Sequence, residues 1–140
     1  MTIFDLHIGK DDHSLERYRP MLAFFELSLF FIGTAFWLDA MAGAAGFKES
    51  TWGEFAYFFP AEMWALLNMG ASAMTFIGIM RPVKRMMVTA GAGLHCLQFM
   101  ALTYSTMFSG GEFVIGLYAG SFFLPLHIWI MWEALRDGGR

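Results

Sequence analysis

Four long apolar stretches decide what this chain can fold into. They run from Met21 to about Leu38, from Ala61 to Met80, from Met86 to Phe108 and from Phe113 to Trp132. Glu26 interrupts the first and Glu62 sits at the edge of the second, while the last two carry no charge. Each approaches the ~20 residues that cross a hydrocarbon core of ~30 Å. They are apolar around their whole circumference, unlike an amphipathic surface helix. They also lack the alternation over about ten residues that marks a barrel strand. Hydrophobic residues make up 57% of the 140, more than a small soluble domain can cover, since such domains leave much of their surface exposed. The expected fold is therefore an all-α integral membrane protein, a bundle of four transmembrane helices.

The basic residues orient it. Lys10, Arg17 and Arg19 precede the first stretch; Arg81, Lys84 and Arg85 join the second to the third; Arg136 and Arg140 follow the fourth. Only Lys48 lies in the other two links. Positive residues stay on the cytoplasmic side, so both termini are expected there. This gives a cytoplasmic segment over residues 1–20, a transmembrane domain over 21–135 and a tail over 136–140. The first twenty residues are mixed and polar, with no apolar signal-peptide region, so the first span is expected to act as its own insertion signal. A bacterial inner membrane is the expected location.

Prolines and glycines mark the boundaries. Pro20 and Pro60 suit first turns, where a missing N–H does no harm. Pro82 ends the second span and Gly110-Gly111 breaks the chain before the fourth. In the first outer link, Thr51-Trp52-Gly53-Glu54 reads as a capping box opening a short helix. Trp52, Phe55, Tyr57, Phe58 and Phe59 would anchor that helix at the outer headgroup level.

Polar residues within the spans ask for partners, because hydrogen-bonding groups are costly in lipid. At ~1.5 Å per residue from the inner boundary, Glu26 lies ~8 Å deep, His127 ~8–12 Å, His95 ~13 Å and Asn68 ~18 Å. One comes from each span. Such a cluster can satisfy itself by bonding across helices. Alternatively, His95 and His127 could be the axial ligands of a b-type haem, with Gly91 and Gly93 leaving room for the porphyrin. A third reading makes Glu26, His95 and His127 a proton or cation path. A glutamate in the first of four helices is similar to the small multidrug transporters, although the long aromatic outer link is unlike them.

Other chemistry is not indicated. Cys96 alone excludes a disulfide framework or cysteine zinc cluster and reads as an inert buried thiol. The 12 methionines are dispersed in depth and suit adaptable packing. No ligand spacing for a metal and no hydrolytic motif occurs, so neither metal ligands nor catalytic residues are expected. A net charge of -3 argues against a nucleic-acid partner.

Small residues allow close helix approach. Gly70 and Gly78 lie two turns apart, Gly91 and Gly93 open the third span, and Gly116 and Gly120 form a GxxxG pair. These faces suit packing within the chain or with other copies or subunits. The leading expectation is a non-catalytic membrane protein that works by association in the bilayer, either pore-forming and holin-like or an accessory subunit of a membrane complex. A haem electron carrier or a small ion-coupled transporter is the alternative.

Overall fold

The computed structural model describes residues 14–41, 60–80, 84–108 and 117–138. Among them every regular element is helical. A single turn, α1 (Ser14–Arg17), leads into α2 (Arg19–Met41). Next come α3 (Ala61–Met80), α4 (Arg85–Phe108) and α5 (Leu124–Gly138), the last entered through a π-helical turn at Ala119–Phe123. Three stretches, Arg19–Leu38, Glu62–Met80 and Arg85–Tyr104, are long and apolar enough to cross a membrane.

The fourth apolar stretch behaves differently. Its described part is not one regular helix, and α5 has 15 residues. Pro125 is the cause: a proline inside a helix has no N–H to donate and crowds the preceding turn. The chain widens there, and the Leu124 N–H reaches back five residues to the Ala119 carbonyl. π-bulges of this kind recur at functional sites. The aromatic segment Trp52, Phe55, Tyr57, Phe58 and Phe59 lies outside the described residues, as do Gly116 and the N-terminal thirteen residues.

The side chains are distributed inside out. Met86 is 87% exposed, Phe24 74% and Leu97 64%, while Glu26, Asn68, Ser72, Thr75, His95, Gln98, His127 and Glu133 are buried. Water would penalise both halves of that pattern, and lipid favours both: large apolar groups find a matching solvent and polar groups find one another. Two apolar layers bracket the polar one. Leu22, Ile79, Val88, Ala92, Ile130 and Ala134 form the first. Leu29, Trp64, Phe99, Leu102 and Ala119 form the second.

α2 packs on α3, α3 on α4, and α4 on α5. Glycines set the closest approaches. A Cβ at Gly91 would collide with Thr75 and come within 2.7 Å of the Ala71 carbonyl, so α3 and α4 meet backbone to backbone there. Gly78 lies against Val88 and Gly120 against Thr103, at 2.5 and 2.9 Å from an added Cβ. Gly93 has only ordinary contact, with Met131. A Cβ at Gly70 would meet nothing within 4 Å among the described residues, so this glycine does not serve packing between the described helices. Gly33 was not singled out in the sequence, yet an added Cβ there would stand 2.7 Å from the Asn68 amide nitrogen and 2.9 Å from Met69. It is the close approach of α2 to α3.

Candidate functional site: a buried carboxylate between two imidazoles

Glu26 on α2, His95 on α4 and His127 on α5 converge between the two apolar layers, each with no solvent-accessible surface. The spacing along each helix explains why. Glu26 lies one turn from Leu22 and nearly one from Leu29, His95 from Ala92 and Phe99, and His127 from Phe123 and Ile130. Residues three and four apart share a helix face, so burying the apolar neighbours buries the polar residue with them.

The Glu26 carboxylate holds both rings. Its Oε1 is 3.1 Å from His127 Nε2, and its Oε2 is 3.4 Å from His95 Nε2. His95 Nε2 also shares a hydrogen bond of 3.1 Å with the Ser72 hydroxyl. The other nitrogen of His127, Nδ1, is 2.7 Å from the Phe123 carbonyl oxygen. A carbonyl only accepts, so His127 Nδ1 carries a hydrogen and donates it. In a neutral imidazole Nε2 would then present a lone pair to a carboxylate oxygen, two acceptors at hydrogen-bond distance. A proton or another cation must lie between them.

Aromatic rings wall the cluster. His95 stacks on Phe99 at 5.4 Å between centroids, and Phe99 stacks on Phe123 at 5.2 Å. Phe99 and Phe25 flank His127 at 5.2 and 6.0 Å. Phe25 also stacks on Phe123 at 5.7 Å.

Asn68 stands apart from the cluster. Its amide donates 2.8 Å to the Leu29 carbonyl and ties α3 to α2. Two residues the sequence reading passed over take part instead. Ser72 lies one turn beyond Asn68, and Gln98 lies one turn beyond His95, so helical spacing from the residues already singled out would have found both. The Gln98 amide is 3.4 Å from the Trp64 carbonyl. Its Oε1 is buried without a hydrogen-bond partner, as is His95 Nδ1.

The haem expectation meets a packing obstacle. The His95 and His127 rings are 4.5 Å apart between centroids and tilted by 55°. Each turns its Nε2 to the same carboxylate. No slot for a porphyrin separates them. Gly91, expected to make room for the macrocycle, instead lies against Thr75 and Ala71 of α3.

Beside the cluster is a cavity of about 350 Å³. Asn68, Gln98, Phe99 and Phe123 belong to its wall, so it abuts the buried Glu–His–His centre through the stacked phenylalanines. Its lining also includes Ile32, Phe36 and Tyr118, all exposed on the outer, apolar surface of the bundle. At the far end of α5, Glu133 is 2.7 Å from Arg136. Cys96 is buried with a free thiol.

Among the described residues, the fold and site together are all-helical, with three helices long and apolar enough to cross a bilayer and a buried Glu–His–His centre. Comparison with protein families, characterised proteins and solved structures finds no match to this chain.

Proposed function

We propose that this protein is a four-crossing membrane protein, with both termini on the cytoplasmic side of a bacterial inner membrane, that binds a lipid-soluble small molecule in the cavity beside its buried Glu–His–His centre. The cavity carries the reading. Its volume of about 350 Å³ lies within the range of about 300–1,000 Å³ typical of small-molecule sites, which are mostly apolar with a few polar groups. Phe36, Trp64, Phe99, Tyr118 and Phe123 contribute aromatic surface, and Asn68 and Gln98 the polar edge. The exposed Ile32, Phe36 and Tyr118 put its mouth on the surface that lipid covers. A ligand dissolved in the bilayer would enter sideways, without passing through water.

Association with other copies or subunits has less support from the small residues than their sequence pattern suggests. Gly78, Gly91 and Gly120 are spent on contacts inside the chain.

The test is photo-crosslinking with a diazirine-bearing alkyl probe in native membranes, with the adduct mapped by mass spectrometry. Adducts should fall on Phe36, Trp64, Leu102 or Tyr118, and Ala65→Phe, which fills the cavity, should abolish them. Labelling spread evenly over the lipid-facing residues Phe24, Phe31 and Leu97, and unchanged by Ala65→Phe, would reject the reading.

A further inference from the structure

We infer that Glu26, His95 and His127 form an intramembrane site for a divalent first-row transition metal ion. The inference is independent of any ligand in the neighbouring cavity. One ligand atom from each of the three residues can be chosen so that all lie within 4.8 Å of one another, and all three residues are buried. Two imidazoles and one carboxylate are the donor set of several three-ligand zinc and non-haem iron centres.

Two of the contacts, one on each carboxylate oxygen, come near the spacing such an ion needs. Bonds of about 2.0–2.1 Å in tetrahedral array place neighbouring ligand atoms about 3.3 Å apart. Glu26 Oε1 to His127 Nε2 is 3.1 Å and Glu26 Oε2 to His95 Nε2 is 3.4 Å. Glu26 Oε2 makes only the long 3.4 Å contact with His95 Nε2, which leaves a lone pair available.

The groups behind the ligands also fit. A metal-binding histidine generally donates its second N–H to a carbonyl or carboxylate, which fixes the tautomer and aims the other nitrogen at the metal. His127 does this through the Phe123 carbonyl at 2.7 Å. On His95 the corresponding Nδ1 is buried without a hydrogen-bond partner, and so is Gln98 Oε1 one turn along the same helix. These are a complementary donor and acceptor. With a metal on Nε2, His95 must carry its hydrogen on Nδ1, and Gln98 Oε1, three residues along the same helix, is the unpartnered acceptor beside it. The contact between His95 Nε2 and Ser72 is the one that a metal would replace.

The contact between His127 Nε2 and Glu26 Oε1 is compatible with such an ion. His127 Nε2 and Glu26 Oε1 cannot face each other without a cation between them. A proton resolves that single contact. A metal ion resolves it and engages His95 as well.

The experiment uses the full chain, purified in detergent with a tag that contains no histidine, and titrated with Co²⁺ as a spectroscopic probe. Visible ligand-field bands should rise to one equivalent per chain and vanish with a chelator. His95→Ala and His127→Ala should each remove them. Gln98→Leu should retain them with affinity weakened 10–100-fold, the usual effect of losing such a supporting partner. Replacing both N-terminal histidines, His7→Ala with His13→Ala, should change nothing. Helical circular dichroism of each variant separates loss of binding from loss of fold. Absence of Co²⁺ bands in the folded wild type, or bands that disappear with the His7 and His13 changes instead, would overturn the inference.

Discussion

Glu26 and His127 stand 101 positions apart in the chain and 3.1 Å apart in space, carboxylate oxygen to imidazole nitrogen, with no solvent on either. This contact joins the first long helix to the last. Tyr18 and Trp129 add an edge-to-face contact at 6.0 Å between the same two ends of the chain. In a buried site the strength of such a link depends on both partners being present, because either one alone is left without compensation.

That dependence gives the first prediction. Glu26→Ala and His127→Ala should each destabilise the fold by about 3–5 kcal/mol, the usual cost of orphaning one member of a buried pair. The double variant should cost clearly less than the sum. Unfolding in a mixed-detergent titration measures the cycle. Additive effects within about 0.5 kcal/mol would show that the two residues are not coupled.

Metal binding should appear in stability as well as in spectra. A ligand that binds only the folded state at 100 times its Kd adds about 2.7 kcal/mol. The Tm of metal-loaded protein should therefore fall on chelation and recover with Zn²⁺ or Co²⁺. The His95→Ala variant should show no such response. An identical chelator-induced fall in that variant would place the effect elsewhere.

Two glycines on facing helices make a contrast. A methyl at Gly91 would press on Thr75 and the Ala71 carbonyl, and overpacking of this kind costs about 1–3 kcal/mol. Gly70 has open space around it, so Gly70→Ala should be neutral or stabilise by up to about 1 kcal/mol through better helix propensity. Thermal unfolding of the two variants decides. If Gly91→Ala were as stable as Gly70→Ala, the close approach of α3 and α4 would be wrong.

Topology can be read chemically. With Cys96, the lone cysteine, changed to alanine, single cysteines at Thr2 and at Arg140 should react with a membrane-impermeant maleimide only after the cells are permeabilised. A cysteine at Gly110 should react in intact cells. Labelling of either terminus from outside would refute the proposed orientation.

How much of this was legible beforehand follows from what each level of structure encodes. Hydropathy and length mark a segment for the membrane whatever it packs against, and among the described residues three of the apolar stretches form helices long enough to cross. The fourth carries Pro125, whose missing donor produces the π turn at Ala119–Phe123; hydropathy is blind to a backbone hydrogen bond. The sequence also named the costly polar residues, since a carboxylate, two imidazoles and a carboxamide stand out against apolar neighbours.

Their partners were decided by tertiary structure alone. A helix that is apolar all round gives no periodic signal of which face turns inward, so its rotation is set by close approaches such as Gly33 against Asn68 and Gly91 against Thr75. Those rotations sent Asn68 to the Leu29 carbonyl, brought Ser72 to His95, and closed the space a porphyrin would need between His95 and His127. The sequence by itself determined which residues must be kept from lipid. Only the packing of the helices determined that one carboxylate would hold two imidazoles, because that contact depends on the rotation of three helices and on no local pattern in any of them.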